Sequence, residues 1–299
     1  MRIIPLILLC FTVHFSGAQS RFFEPADSIN KKRVVAVTAS IGGGSTLGMV
    51  GLWNLWYKNG DSGHWKFIDD SHSWLQMDKA GHFFTAYKLN QTTFDLYKWS
   101  GVSQTKAQWL GFGYGMAFQT TLECFDGFSS DWGFSWSDMG FNFLGASSFT
   151  AQQLIWKEER FIPKFSSFPT SYAALRPEIL GSNFAESTLK DYNGQTYWLS
   201  FSPGTFMKNS SFPQWLCFSL GYSADQKIIG DQNTYTDPAT GITYYAKREW
   251  LLSMDIDFSR LPIRKPWLKA VVKQFNYLKV PFPALILSNG KISGRPLYF

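Results

Sequence analysis

Residues Trp132 to Gly145 read W-G-F-S-W-S-D-M-G-F-N-F-L-G and place Asp138 and Asn142 four residues apart. That spacing puts both on one face of a helix in a segment otherwise apolar and glycine-containing. Two polar groups on such a face need partners. Upstream the chain supplies Asp78, Lys79 and His82 in D-K-A-G-H, then Glu123 and Asp126 in E-C-F-D-G. Each group borders another apolar segment, so the fold reading is a helical bundle in which the three clusters meet at one end.

The periodicity predicts four helices. Val34 to Tyr57 carries no charge and is long enough to cross a bilayer, which takes about 20 apolar residues. Ser40, Gly44 and Gly48 recur every fourth residue in it, a stripe suited to close helix packing; a transmembrane and a tightly buried helix both fit, with burial preferred. The polar connection Lys58 to Ser73 leads to a second helix, Met77 to Trp99. A third runs from Lys106 to about Cys124, with Gly111 and Gly115 at the same packing interval. After a turn at Ser129 to Gly133, the fourth begins near Ser135 and reaches about Glu158. Ser135 and Asp138 form a capping-box pattern at its start.

From Phe161 the texture changes. Pro163, Pro169 and Pro177 mark an irregular stretch, followed by strands at Thr196–Ser202, Trp215–Tyr222 and Trp250–Phe258. In the last, Trp250, Leu252, Met254, Ile256 and Phe258 alternate with Leu251, Ser253, Asp255 and Asp257, and the first set is read as the dry face. Lys265 to Lys279 reads as an amphipathic helix that covers a sheet or lies on a membrane. The expected fold is α+β: a glycine-rich bundle of about four helices over 34–160, then a small antiparallel sheet with an amphipathic helix over 161–299.

Before the bundle, the apolar run Ile3 to Phe15 and the small residues Ser16 to Ala18 read as a signal peptide over 1–18, with a polar leader over 19–33. Leu9 before Cys10 is too bulky for a lipidation site. Cleavage leaves Cys124 and Cys217, able to pair in an exported protein or to serve as small buried hydrophobes. The aromatic share of 18% suits an interfacial environment. Thr243 to Phe299 holds ten Lys and Arg against three Asp and Glu, which suits an anionic lipid surface. For an exported chain, nucleic acid is the poorer partner.

The polar clusters admit three chemistries. Several carboxylates around His82 can support acid-base catalysis, or hold a divalent cation, with His82, Glu123 and Asp138 as ligands. They can also be structural: Asp78 an N-cap, Asn142 a buried amide, and Lys79 paired with Glu123 or Asp126. No organic cofactor is expected. G-x-S-x-G, H-E-x-x-H, Walker A and a dinucleotide fingerprint in the right context are absent.

D-K-A-G-H-F-F at Asp78 to Phe84, E-C-F-D-G at Glu123 to Gly127 and G-F-S-W-S-D-M-G-F-N-F-L-G at Gly133 to Gly145 together resemble the YfiM-like group of predicted periplasmic lipoproteins, a domain of unknown function. The order of these motifs is more distantly similar to VanZ-like membrane proteins. The second half, with K-D-Y-N-G-Q-T-Y-W-L-S at Lys190 to Ser200, resembles an extended form from Bacteroidota-type envelopes. The resemblance implies a periplasmic or outer-membrane setting in preference to the inner membrane, and no reaction. The functional expectation is an exported, membrane-associated envelope protein with a structural or binding role. Alternatives are an enzyme acting on a lipid-linked or cell-wall precursor and, from the terminal Phe299, a small outer-membrane barrel.

Overall fold

The computed structural model describes residues 22–57, 63–207 and 211–298. The signal peptide, Cys10 and Phe299 lie outside the described residues. Four long helices come first: α1 (Lys31–Leu52), α2 (Met77–Trp99), α3 (Gln104–Gly127) and α4 (Trp136–Ile155). The polar leader ends sooner than expected. Asn30 caps α1 by accepting a hydrogen bond from the Arg33 amide at 3.1 Å, so Lys31 to Arg33 are helical. A π-helical turn, Trp53–Tyr57, extends α1.

Glycine sets how closely the helices cross. A Cβ added to Gly111 of α3 would stand 2.4 Å from Asn90 Oδ1, and one added to Gly145 of α4 would stand 2.1 Å from the backbone oxygen of Phe83. Helix α2 therefore touches both neighbours at backbone distance. Away from the polar clusters the interior is apolar, with Tyr87, Phe94, Tyr97 and Val102 packed around Phe149. Where the clusters lie, two short strands, β1 (Phe67–Ile68) and β2 (Phe134–Ser135), pair in parallel and tie the connection before α2 to the start of α4.

The second half contains more sheet than expected. Strands β3 (Phe161–Ser167), β4 (Gln195–Phe201), β5 (Leu216–Asp225), β8 (Lys247–Ile256), β9 (Phe282–Ser288) and β10 (Lys291–Tyr298) form one antiparallel sheet in the order β10-β9-β8-β5-β4-β3. A separate two-stranded ribbon pairs β6 (Thr234–Thr236) with β7 (Thr243–Tyr245). Pro163 hid β3 from the sequence reading. The strand accommodates it because β3 is an edge, where a missing N–H costs least. The sheet is open, with β3 and β10 at its two edges, so these strands do not form the closed barrel considered above.

Short helices α5 (Pro177–Leu180) and α6 (Phe184–Lys190) lie between β3 and β4. The amphipathic helix α7 (Pro266–Lys273) continues as a 3-10 turn, Gln274–Tyr277. It is fixed to the bundle by Lys273 Nζ, 2.7 Å from Asp95 Oδ2 of α2.

The faces of β8 are opposite to expectation. Leu251, Ser253, Asp255 and Asp257 are the buried side, while Trp250 is 57% and Leu252 46% exposed. The reason is what fills the inner face. There Lys164 Nζ lies 2.9 Å from Asp255 Oδ2, both side chains fully buried, and Ser200 donates to the same oxygen at 2.8 Å. Lys279 Nζ donates to the carbonyls of Met254 and Val280, each at 2.6 Å. This charged, satisfied group shares the inner layer with a buried cluster of Trp198, Leu251 and Ile286, and the larger apolar set faces outward.

The bundle repeats this inversion. Asn90, Gln108, Gln119, Gln152 and Gln153 are buried between helices. Exposed positions include Val35, Leu47 and Val50 on α1, Trp109 and Leu110 on α3, and Phe143, Leu144, Leu154 and Ile155 on α4. Cys124 and Cys217 are both free.

Candidate functional site

The site lies where the beginnings of α2 and α4 meet the end of α3. Asp78, Lys79 and His82 occupy the first two turns of α2, Glu123 and Asp126 the last turn or so of α3, and Asp138 and Asn142 the first two turns of α4. The sequence clusters are thus brought together.

Lys79 sits at the centre, 1% exposed. Its Nζ is 2.7 Å from Asp70 Oδ2, 2.7 Å from Asp138 Oδ1 and 3.2 Å from Asp78 Oδ2. The lysine therefore pairs with these three aspartates and not with Glu123 or Asp126. A buried ammonium surrounded by carboxylates is favourable only because the partners compensate its lost hydration.

Asp70 has no sequence signature, since it stands in a polar connection 65 residues from Ser135, whose hydroxyl donates to its Oδ1 at 2.6 Å. Ser137 donates to the same oxygen at 2.9 Å. Burial would raise the Asp70 carboxyl. The hydrogen bonds from Lys79 and Ser135, with the Lys79 charge, outweigh it and hold the group down to about 2.

Only half of the expected capping box forms. Ser135 Oγ accepts from the Asp138 amide at 3.1 Å, but the Ser135 amide donates to Glu123 Oε2 at 3.2 Å. The Asp138 carboxylate is thereby free to face Lys79 and His82. Glu123 joins the end of α3 to the start of α4.

The two ring nitrogens of His82 face different surroundings. Nδ1 donates to Asn142 Oδ1 at 3.1 Å, and Gln119 Nε2 donates to the same Asn142 oxygen at 2.7 Å. Glu123 Oε1 lies 3.6 Å from Nδ1. On the other side, Nε2 looks toward Asp78 Oδ1 at 3.6 Å and Asp138 Oδ1 at 3.9 Å. Both separations are too long for a hydrogen bond.

Two tyrosines that the sequence did not single out close the rim: Tyr192 donates to Asp78 Oδ1 at 3.0 Å, and Tyr57 donates to Asp126 Oδ1 at 2.6 Å. Asp126 is thus held by Tyr57. Among the described residues, the buried atoms Glu123 Oε1, Gln119 Oε1 and Asn142 Nδ2 have no hydrogen-bond partner. Such atoms cost free energy unless something meets them.

The second half helps to hold this site in place. Trp74, Leu75 and Gln76, immediately before α2, all have left-handed backbones, with φ of 51°, 52° and 63°. Residues with side chains adopt that conformation only when their surroundings enforce it. Here the Trp74 amide donates to Gly230 O at 2.8 Å, the Tyr222 hydroxyl donates to Leu75 O, and Arg248 Nη2 donates to Gln76 Oε1 at 2.6 Å.

No curated protein and no solved structure matches this chain. A family model, described as predicted periplasmic lipoprotein (DUF2279), matches residues 63–153. The span takes in α2, α3, all but the last two residues of α4 and every site residue except Tyr57 and Tyr192, and it agrees with the YfiM-like resemblance. Residues 63–153, under a third of the chain, are thus similar to a family described as predicted periplasmic lipoproteins.

Proposed function

We propose that this exported protein is embedded in an envelope membrane, where it has a binding or structural role. The observation that carries the reading is the inverted polarity of the sheet. On β8 and just beyond it the residues turned inward are Leu251, Ser253, Asp255 and Asp257, and those turned outward include Trp250, Leu252 and Met254. Neighbouring strands extend the outward set through Leu220, Leu285 and Leu287. Water would favour the reverse arrangement; an apolar face on an open sheet suits contact with a membrane surface, its edges kept at the headgroups.

The helices support the same placement. Residues Lys31–Tyr57 are long and apolar enough to cross a bilayer, and only Val37 and Tyr57 in that stretch are buried. Polar side chains on α2, α3 and α4 turn toward one another, as they do between helices in lipid. The open edge strand β10 carries Lys291 and Arg295, which belong at the headgroups; with the basic excess of the C-terminal segment they favour an anionic surface.

Alkaline carbonate extraction tests the reading. The expected result is full-length protein retained in washed membranes and released only by detergent. Release by carbonate, or a monodisperse protein purified without detergent, would refute it.

A further inference from the structure

We infer that Asp78, His82 and Asp138 form a binding site for one divalent transition-metal cation. Asp78 Oδ1, His82 Nε2 and Asp138 Oδ1 lie within 4.8 Å of one another. The separations from Nε2, 3.6 and 3.9 Å, exceed hydrogen-bond length. They approach the spacing of two ligands on one metal, since bonds of about 2.1 Å at tetrahedral angles put ligand atoms roughly 3.4 Å apart.

The tautomer supports the same assignment. With Nδ1–H given to Asn142 Oδ1, Nε2 is the ring nitrogen turned toward two carboxylate oxygens, the atom through which the ring would bind a metal. Asp138 Oδ1 also meets Lys79 Nζ at 2.7 Å and Asp78 Oδ1 accepts from Tyr192 at 3.0 Å, so a metal would share these oxygens with those partners. The Nδ1 side already has the arrangement that orients a metal-bound histidine: Asn142 accepts its proton, Gln119 holds Asn142, and Glu123 stands behind. Glu123 is thus an outer partner on the far side of the ring, and Asp78 takes the ligand place that the sequence reading gave to it.

Charge gives a further reason. Asp70, Asp78, Glu123, Asp126 and Asp138 bring five carboxylates to the site, against Lys79 and the titratable His82. Lys79 reaches Asp78 through Oδ2 and leaves its Oδ1 toward His82, while on Asp138 it meets Oδ1 itself. Glu123, 1% exposed, keeps Oε1 without a hydrogen-bond partner and directed at the same imidazole. One imidazole with two carboxylates suits zinc or manganese better than calcium, which prefers oxygen ligands alone.

The test uses the full chain in detergent, stripped with EDTA and then equilibrated with Zn²⁺ as the probe. Expected is one zinc per chain after gel filtration, a higher melting temperature with zinc, and reversal by EDTA. His82→Gln should abolish stoichiometric binding. Asn142→Ala, which removes the acceptor at Nδ1 but no ligand, should weaken zinc about 10–100-fold. Wild-type protein that binds no zinc, and whose melting is indifferent to zinc and EDTA, would overturn the inference; the space beside Nε2 would then belong to a proton on His82. Zinc bound equally by wild type and a folded His82→Gln would overturn it as well. If His82→Gln does not fold, Co²⁺ on the wild-type chain decides: visible d–d bands of a low-coordinate nitrogen and oxygen site support the inference, and the spectrum of hydrated Co²⁺ refutes it. These outcomes do not depend on membrane embedding.

Discussion

Lys79 is the residue around which the site is electrostatically arranged. Replacing it by Ala would leave Asp70, Asp78 and Asp138 crowded without their ammonium. Removing one partner from a buried ion pair costs about 3–5 kcal/mol, so denaturant unfolding of Lys79→Ala in detergent should show a loss of that order. A loss below about 1 kcal/mol would mean that the carboxylates find other compensation. Asp70 sets an acid limb. Its folded-state value is about 2, below the ordinary value near 4, so it contributes stability that is complete above pH 4 and lost as pH falls toward 2. Melting temperatures measured from pH 6 to pH 2 should fall over that interval, and Asp70→Asn should flatten the fall. Most of these residues were legible as helix-spaced polar groups in apolar segments. Asp70, Tyr57 and Tyr192 were not, because each meets its partner only through the tertiary fold.

At the scale of elements, the site depends on helices that cross at backbone distance. Gly145→Ala places a methyl 2.1 Å from Phe83 O, which a carbonyl cannot evade by changing rotamer. The crossing of α2 and α4 must widen, at about 1–3 kcal/mol. Gly113 of α3 has nothing within 4 Å of its added Cβ, so Gly113→Ala should be neutral or stabilise by up to about 1 kcal/mol. Thermal melts of the two variants should separate in opposite directions; equal shifts would mean that the close crossing is not what limits stability. Helix α2 matched its sequence limits, Met77 to Trp99, because periodicity and polar flanks agree there. Strands β9 and β10 were missed although Asn289-Gly290, both with positive φ, is a strong hairpin signal. On β8 the period of two was read correctly and its direction wrongly. Alternation reports two faces; it does not say which one meets solvent.

Across the whole molecule, the two halves share one organisation: charged and amide groups meet inside beside smaller apolar clusters, and large apolar faces turn outward. The second half belongs to this arrangement rather than following it as a loose appendage. Through Tyr222, Gly230 and Arg248 it holds the left-handed turn from which α2 carries Asp78, Lys79 and His82 into the site. The α+β class and the bundle were legible because they follow from local periodicity. The inversion was not, since a sequence pattern fixes the contrast between faces while the surrounding medium fixes their orientation.

The measurement that meets this claim most directly is labelling of single cysteines by a membrane-impermeant maleimide, in native membranes, on a chain with Cys124 and Cys217 changed to serine. Leu252→Cys, on the outward face of β8, should resist labelling until detergent is added, whereas the exposed polar position Glu178→Cys should react at once. Rapid labelling of Leu252→Cys in intact membranes would mean that this face meets water, and the membrane-embedded reading would be contradicted.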